Sequence, residues 1–370
     1  MGSVVCSGVK NLRMVVPTIV LFGVAPHYYM VWMLWRLVSL ALPTYIYQKG
    51  DDFCYSLYQR LVLFFFENLT GTEVILHGDG DEVLRRKERV LYLGNHQSTM
   101  DWIVVHMLAE RQGSLGHVRY IMKNSLQAVP LYGFYFYEHG CVYVKRGNFN
   151  QSKMMNDLKY LKHKRIPTWL VIFPEGTRFN PFLPQLLERS HKIAEDQGIQ
   201  PFNHLLTPKI RGLHLALEQL RNSFDALYDV TVVYSNTKDK KSGKRKPAPS
   251  MFEFAVGVCP QVHIHVSRID IKNVPTTEEE LKQWLFTLYR NKDRILSSYY
   301  DNNEQQPLVD VFAHGQKSPT TSFYTISSFL FFMVLAVPFI VTPFGRSLYW
   351  KLVTFGSLSG YLWLGVKSLA

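Results

Sequence analysis

The sequence predicts an α/β protein, a mixed sheet flanked by helices, with membrane helices at both ends. Runs typical of buried strands alternate with amphipathic helical patterns through the middle of the chain. Long apolar stretches occupy both ends. The 370 residues are 47% hydrophobic and 14% aromatic, which is rich for a soluble enzyme. This length accommodates one ordinary domain plus membrane segments.

Residues 1–69 are predicted to form an N-terminal membrane anchor and an interfacial helix. The stretch from Met14 to Leu42 is predominantly apolar and follows Lys10 and Arg13. It is too long for the core of a signal peptide, so we expect it to be a retained anchor. The apolar run within residues 57–69 is shorter, which favours an interfacial or buried helix over a span.

Residues 70–305 are predicted to form the catalytic domain. Strand patterns occur at residues 72–76 and 89–93, and the second of these stops at Gly94. Further along, alternating patterns predict strands at 229–234 and 262–267. Helices are expected at 151–163, 184–198, 211–228 and 278–300.

His96 and Asp101 lie directly after the predicted strand at 89–93. Ser98-x-x-Asp101 is a helix start signal, and an apolar helical face follows it. Residues five apart on one helix lie about 140° around the axis and cannot meet. If His96 lies in the turn before the helix, Asp101 can bind one imidazole nitrogen and leave the other to accept a proton from a hydroxyl. The alternative is that Asp101 only caps the helix and His96 only bonds within a turn.

Two further strand ends carry charged residues. The buried run at 167–173 ends in Pro174-Glu-Gly-Thr-Arg178, a tight turn where open α/β sheets bind ligands. Arg178 can bind a phosphate there, with Glu175 orienting either Arg178 or the turn; a plain surface turn with a local ion pair is the alternative. The strand pattern at 140–146 ends in Lys145 and Arg146. Together, the three strand ends predict a base beside an anion site.

These segments resemble a known family. Asn95-His96-x4-Asp101, Gly140-x2-Tyr143-Val144-x-Arg146 and Phe173-Pro-Glu-Gly-Thr-Arg178 are similar, in order and spacing, to the first three motifs of the glycerolipid acyltransferases. The resemblance implies transfer of a fatty acyl group from acyl-CoA to the sn-2 hydroxyl of lysophosphatidate, in the endoplasmic reticulum or mitochondrial membrane. It makes His96 the base, oriented by Asp101. It assigns the acceptor's glycerol phosphate to Lys145, Arg146, Glu175, Gly176, Thr177 and Arg178.

The same residues leave other functions open. Acylation of another lysophospholipid, such as lysocardiolipin, uses the same chemistry, and a non-catalytic lipid-binding membrane protein would also need a basic pocket. The fourth family motif is loose, because Lys209 follows Pro208 where the family usually has an aliphatic residue.

Charge and composition limit the classes of molecule that the protein is expected to bind. The formal charge of +12 suits a lipid bilayer or anionic substrates such as acyl-CoA and lysophosphatidate, and no nucleic-acid motif appears. The four cysteines have no metal-binding spacing, and His263 and His265 are interpreted as structural. We therefore expect neither a metal nor a cofactor. The Lys-rich segment 238–246 is predicted to be a mobile solvated loop, with contact to anionic lipid as the alternative.

The C-terminal part is predicted to return to the membrane. Residues 306–321 form a polar linker, and residues 322–370 contain two apolar stretches around a short turn. Gly356 and Gly360 form a face suited to close helix contact. The aromatic run at 131–137 fits either an acyl groove or bilayer contact, or ordinary core packing.

Overall fold

The computed structural model describes residues 2–145, 149–162, 167–239, 241–301, 311–312 and 314–369. The chain forms two compact units. The first comprises residues 1–69, 114–168 and 321–370, and the second comprises residues 70–113 and 169–320. Residues 114–168, which the sequence placed in the catalytic domain, thus cluster with the terminal helices. Residues 306–310 and 313 of the predicted linker lie outside the described residues, as do residues 302–305 of the predicted catalytic domain.

The helices follow the predicted patterns in most of the chain. They are α1 (Gly2–Val38), α2 (Thr44–Leu63), α3 (Gly80–Leu84), α4 (Asp101–Gln112), α5 (Tyr132–Glu138), α6 (Gln151–Lys159), α7 (Pro184–Asp196), α8 (Ile210–Leu220), α9 (Met251–Ala255), α10 (Glu278–Tyr300), α11 (Ser322–Val341) and α12 (Pro343–Leu369). The strands are β1 (Glu73–Gly78), β2 (Val90–Gly94), β3 (Val118–Lys123), β4 (Val142–Val144), β5 (Trp169–Ile172), β6 (Ala226–Tyr234), β7 (Gln261–Asp270) and β8 (Gln316–Lys317).

The helix expected at 211–228 is wrong in its second half. Helix α8 ends at Leu220, and Tyr228 already lies in the buried strand β6. The guanidinium of Arg221 donates to the carbonyl oxygens of Ile271 at 3.2 Å and Val274 at 2.7 Å. These contacts with a distant segment turn the chain where the local apolar pattern would have continued the helix.

The second unit contains a mixed sheet flanked by helices, as predicted. Its strands run in the order β5-β2-β6-β7-β1-β8. Strand β2 pairs in parallel with β5 and β6, whereas β6 and β7 are antiparallel. Strands β2, β5 and β6 are buried along their whole length. Their carboxyl ends therefore meet at one edge of the sheet, beside the turns that the sequence singled out.

The described residues of the Lys-rich segment in the second unit form a hydrogen-bonded hairpin. Lys238 and Arg245 form an antiparallel bridge. At the tip, Asp239 Oδ1 accepts the backbone N–H groups of Lys241 at 3.0 Å and Ser242 at 2.8 Å. A local side-chain turn of this kind closes short hairpins.

The first unit is a helical assembly in which α1, α2, α11 and α12 pack on one another. Among the described residues, the helical segments Val15–Ala41 and Ser322–Val341 are long and apolar enough to cross a membrane. The predicted second C-terminal span is present as helix α12, but α12 does not meet that criterion over its described residues.

Close packing occurs at the small residues of α12. A Cβ atom on Gly356 would lie 2.9 Å from Leu131 Cδ2, and one on Gly360 would lie 2.9 Å from Phe134 Cβ. The aromatic run therefore forms a helix, α5, against this glycine face. Its Tyr135 is buried beside Trp32, with ring centroids 5.0 Å apart. Of the interpretations offered for the aromatic run at 131–137, these contacts agree with ordinary core packing.

A buried polar cluster also lies in the first unit. His139 Nδ1 is 2.5 Å from Asp51 Oδ2, and His139 Nε2 is 3.1 Å from the carbonyl oxygen of Val118. Arg119 donates to Asp52 Oδ1 at 2.6 Å. Burial lowers the pKa of His139 well below its ordinary value and raises the pKa of Asp51 to about 7. Both shifts favour the uncharged form of the group.

Candidate active site

A turn at the end of strand β2 carries His96. The side chain of Asn95 pairs with the backbone of Val232 in β6: Oδ1 accepts the N–H at 2.8 Å and Nδ2 donates to the carbonyl oxygen at 3.1 Å. Gln97 Nε2 donates to the same carbonyl oxygen at 2.7 Å. These side-chain bonds fix the turn to the neighbouring strand and hold His96 at the ligand-binding edge of the sheet.

Asp101 is the hub of this turn. Its Oδ2 lies 2.7 Å from His96 Nδ1 and accepts the backbone N–H groups of Gln97 at 2.7 Å and Ser98 at 2.9 Å. Its Oδ1 accepts the hydroxyl of Tyr234 at 2.7 Å. A carboxylate is an acceptor for all four of these groups, so Nδ1 of His96 carries the hydrogen that faces it. Asp101 is the first residue of α4, so it reaches back to the preceding turn as the spacing predicted.

The open nitrogen of His96 faces away from Asp101. The imidazole stacks on the ring of Phe173 with centroids 4.7 Å apart, and 22% of the side chain is exposed. Nε2 has no hydrogen-bond partner among the residues that the structure describes. With Nδ1–H bound to Asp101, Nε2 holds the lone pair and can accept a proton from a hydroxyl.

The carboxyl group of Glu175 connects the turn that carries His96 to the segment at Leu206. It is 2% exposed; Oε1 accepts the backbone N–H of His96 at 2.7 Å and Oε2 accepts that of Leu206 at 3.0 Å. Burial raises the pKa of Glu175 to about 8. Of the two roles that the sequence left open, orienting the turn is the one that these contacts describe. A buried carboxyl with both oxygens bound to backbone is poorly placed to hold a substrate.

The turn after strand β5 needs glycine at one position. Gly176 has a φ of +68°, in the left-handed region, and its N–H bonds to the carbonyl oxygen of Phe173 at 3.0 Å. The side chain of Lys209 lies over this glycine, with Nζ 3.6 Å from where a Cβ would be. The loosely matching fourth motif therefore brings a cation to the same turn. Phe179 N donates to the carbonyl oxygen of His96 at 2.7 Å, which joins the two turns.

A cavity of about 300 Å³ opens between these turns and the hairpin. Arg178 lines it with an exposed side chain, and the half-buried Thr177 lines it beside Arg178. Hydroxyl and amide groups, a short apolar wall and one carboxylate complete the lining: Gln97, Ser98, Thr99, Phe179, Asn180, Leu183, Leu186, Pro247, Ala248, Pro249, Ser250 and Glu253. The carboxylate of Glu253 is bound to the N–H and hydroxyl of Ser250, each at 2.8 Å. A guanidinium surrounded by hydroxyl groups suits a phosphate ester.

Comparison with known proteins identifies the family. A model described as Acyltransferase matches residues 76–235, and a second, described as Acyltransferase C-terminus, matches residues 256–333. The mouse protein named 1-acyl-sn-glycerol-3-phosphate acyltransferase epsilon is 43% identical over 359 residues, which are 97% of this chain and 97% of that protein. The chain belongs to the acyltransferase family.

More distant acyltransferases match over most of the chain as well. A protein of Arabidopsis thaliana, named probable 1-acyl-sn-glycerol-3-phosphate acyltransferase 5, is 31% identical over 80% of this chain and 75% of its own length. The mouse protein named 1-acyl-sn-glycerol-3-phosphate acyltransferase gamma is 27% identical over 90% of this chain and 86% of its own length. The first family match spans His96, Asp101 and the turn at Glu175 to Arg178.

Lys145 and Arg146, the two remaining predicted site residues, directly follow strand β4 in the chain. Lys145 follows strand β4 in the first unit, and its side chain is exposed. Arg146 lies outside the described residues. The part of the anion site that the second unit supplies therefore rests on Arg178, with Thr177 beside it.

Two site residues of this acyltransferase were missed by sequence reasoning. Tyr234, at the end of β6, supplies one of the four donors to Asp101. Gln97 connects the His96 turn to Val232 and presents Oε1 to Arg245 at 2.5 Å. Gln97 adjoins the predicted base, which was the one available signal. Tyr234 stood within a strand pattern that indicated only burial.

Two groups of side chains outside this site contain potential metal ligands. Among the described residues, Asp51, Asp52 and His139 form one group of three potential ligands whose atoms lie within 4.8 Å of one another. The guanidinium of Arg119 already occupies Asp52, and that cation opposes a second one. His263 Nδ1 lies 3.1 Å from His77 Nε2, and no third ligand joins them among the described residues.

Proposed function

We propose that this acyltransferase moves a fatty acyl group from acyl-CoA to the sn-2 hydroxyl of 1-acylglycerol-3-phosphate, giving phosphatidate and CoA. The observation that carries the proposal is the state of the His96 ring: Nδ1 is held by Asp101 at 2.7 Å, while Nε2 has no hydrogen-bond partner among the described residues, and the three residues that follow His96 line the cavity. The names of the similar mouse and Arabidopsis proteins support the choice of acceptor.

The proposed reaction is direct transfer. His96 Nε2 takes the proton of the acceptor hydroxyl as its oxygen attacks the thioester carbonyl carbon. Collapse of the tetrahedral intermediate breaks the C–S bond, and the imidazolium returns the proton to the departing CoA sulfur. General-base catalysis of this kind contributes about 10² to 10⁴ in rate. Positioning of the two substrates supplies a further part. A thiolate leaves readily, so the proposed chemistry uses no metal or cofactor.

Acceptor recognition is assigned to the cavity. Arg178 reaches it from the turn that Glu175 braces, and Thr177 adds a hydroxyl donor. A bidentate guanidinium contact recognises the phosphate of lysophosphatidate. It recognises the phosphate of other lysophospholipids as well, so lysocardiolipin and related acceptors belong in the same assay.

The helices Val15–Ala41 and Ser322–Val341 support a membrane location. We propose the endoplasmic reticulum membrane, with the mitochondrial membrane as the second compartment to examine by fractionation. Exposed Lys and Arg side chains favour an anionic lipid surface as the partner.

The test is acyl transfer by purified full-length protein in detergent. Wild-type protein is supplied with oleoyl-CoA and with lysophosphatidate or a panel of other lysophospholipids, and released thiol and lipid product are both measured. His96→Ala should lower turnover about 10³-fold, because the base is lost. His191→Ala, on helix α7 away from the cavity lining, is the matched control and should keep wild-type turnover.

The outcomes separate the alternatives. Turnover with lysophosphatidate that His96→Ala abolishes supports the proposal. Turnover with a different lysophospholipid alone keeps the mechanism and replaces the acceptor. Folded protein that binds lysophosphatidate but transfers nothing from acyl-CoA would be a lipid-binding protein, and the proposal would fail.

A further inference from the structure

Arg245 is a buried guanidinium that the proposed reaction does not use. It lies in the hairpin at the edge of the cavity, and only 9% of it is exposed. Its Nη1 donates to the carbonyl oxygen of His204 at 2.8 Å, and its Nη2 donates to Gln97 Oε1 at 2.5 Å. Both of these acceptors are uncharged oxygens. Burying a charge in this way is costly unless each donor finds a partner.

Two aromatic rings enclose the same group. The guanidinium carbon lies 4.4 Å from the ring centroid of Phe179 and 4.3 Å from that of Tyr300. A planar guanidinium between two ring faces is stabilised by cation–π attraction, and its edge remains free to donate hydrogen bonds. A lysine ammonium lacks this geometry, so the contacts select arginine at this position.

The contacts of Arg245 connect three parts of the site. Gln97 follows His96 and donates its backbone N–H to Asp101. Phe179 follows Arg178 and donates its backbone N–H to the carbonyl oxygen of His96. His204 is held in turn by Asp293, which accepts its N–H at 2.8 Å.

The residues after Arg245 form a wall of the cavity. Pro247, Ala248, Pro249 and Ser250 all line it. The Pro249 carbonyl oxygen accepts the hydroxyl of Ser98 at 2.5 Å, and Thr99 Oγ1 accepts the N–H of Met251 at 3.0 Å. Arg245 therefore anchors this wall at one end, while Ser98 and Thr99 anchor it at the other.

We infer that Arg245 is a positioning residue that fixes the His96 turn and the cavity wall for the acceptor. This inference rests on the proposed function in its assignment of the cavity to the acceptor's phosphate. Arg245 touches no reacting atom; it acts through Gln97, Phe179 and the wall. Its loss should therefore weaken use of the acceptor more than use of acyl-CoA.

The test compares Arg245→Met with Arg245→Lys and with Lys244→Met. Lys244 is exposed at the hairpin tip, so Lys244→Met removes the same charge without touching the cavity. Arg245→Met should raise the KM for the acceptor about tenfold, a value typical of one lost charged hydrogen bond, and change the KM for acyl-CoA less than about twofold. Arg245→Lys should recover part of the loss, because an ammonium reaches one of the two acceptors.

Hydrogen exchange provides a readout that does not need turnover. In full-length Arg245→Met, the backbone N–H groups of Gln97, Ser98 and Met251 should exchange faster than in wild type, and in Lys244→Met they should not. Equal exchange in Arg245→Met and Lys244→Met, or equal rises in both KM values, would overturn the inference. If Arg245→Met does not fold, Arg245→Lys is compared with Lys244→Met instead, by the same KM values and hydrogen-exchange rates. If the wild-type protein shows no turnover, the proposed function fails. The role of Arg245 in fixing the His96 turn is then still tested by hydrogen exchange.

Discussion

Each of the two units contains a histidine hydrogen-bonded to an aspartate, and the two pairs differ in what surrounds them. In the second unit, His96 binds Asp101 at 2.7 Å and keeps 22% of its side chain exposed. In the first unit, His139 binds Asp51 at 2.5 Å, and both side chains are fully buried. A His–Asp pair therefore does not by itself indicate a base.

The second nitrogen of each ring decides the difference. His139 Nε2 faces the carbonyl oxygen of Val118 at 3.1 Å, so no lone pair is left for a substrate. His139 is also stacked on Tyr55 with ring centroids 4.0 Å apart. His96 Nε2 has no such partner among the described residues. The buried pair stabilises the fold, whereas the open pair is arranged to move a proton.

Replacing each aspartate by asparagine should distinguish the two pairs most strongly, because the two variants should differ widely in kcat. Asp101 accepts four donors, and the amide of Asp101→Asn would direct N–H groups at some of them. We expect kcat to fall about 10³-fold, because the imidazole loses its tautomer and orientation. Asp51→Asn should keep kcat within about twofold, since an amide can accept from Trp32 and donate to His139.

Both asparagine variants are assayed by acyl transfer per folded protein, with folding checked by near-UV circular dichroism. If Asp51→Asn lowered kcat as far as Asp101→Asn does, the distinction between the two pairs would be lost.

Loss of the buried imidazole should show in stability. His139→Leu leaves Asp51 in the interior with only Trp32 and Gln48 as donors. We expect a loss of about 2 kcal/mol in the free energy of unfolding, as when a buried hydrogen-bonding group loses its partner. Thermal unfolding in detergent measures it, with His314→Leu, at an exposed histidine, as the control. An unchanged unfolding midpoint for His139→Leu would contradict the structural role of this pair.

The pH dependence of stability should identify Glu175 as the titrating group beneath the open pair. Burial raises its pKa from 4.5 to about 8, so the folded state holds a proton that the unfolded state loses. Stability from this group is fully present below about pH 4.5, and it falls as the pH rises toward about 8, by up to roughly 1.4 kcal/mol per pH unit.

Glu175→Gln, which cannot ionise, is the reference for that titration. The unfolding midpoint of wild type minus that of Glu175→Gln should decrease between pH 5 and pH 8 and then level off. A difference that stays flat or increases across this range would show that Glu175 ionises at its ordinary pKa.

The sequence predicted local geometry better than distant contacts. His96 and Asp101 are five residues apart beside a strand end, so their meeting required only that His96 lie in the turn before the helix. Gly176 and Arg178 were likewise identified within one turn. Arg245 could not be placed, because its partners Gln97 and His204 are 148 and 41 residues away, and a Lys-rich segment indicates solvent exposure.

Helix and strand assignment failed for the same reason. Local periodicity continued α8 to Tyr228, whereas bonds from Arg221 to residues some 50 positions away ended it. Residues 114–168, which lie within the predicted catalytic domain 70–305, belong to the same compact unit as the terminal helices. Contacts distant in sequence determine both features, and no local pattern contains them.

The central claim is that His96, unlike His139, presents a free imidazole nitrogen that acyl transfer requires. Diethylpyrocarbonate acylates such nitrogens, and peptide mass spectrometry locates each modified histidine. We predict that His96 is modified first, that transfer activity is lost in proportion to that modification, and that lysophosphatidate slows it, while His139 stays unmodified in folded protein. Activity that survived full modification of His96, or modification of His139 at the same rate, would contradict the account.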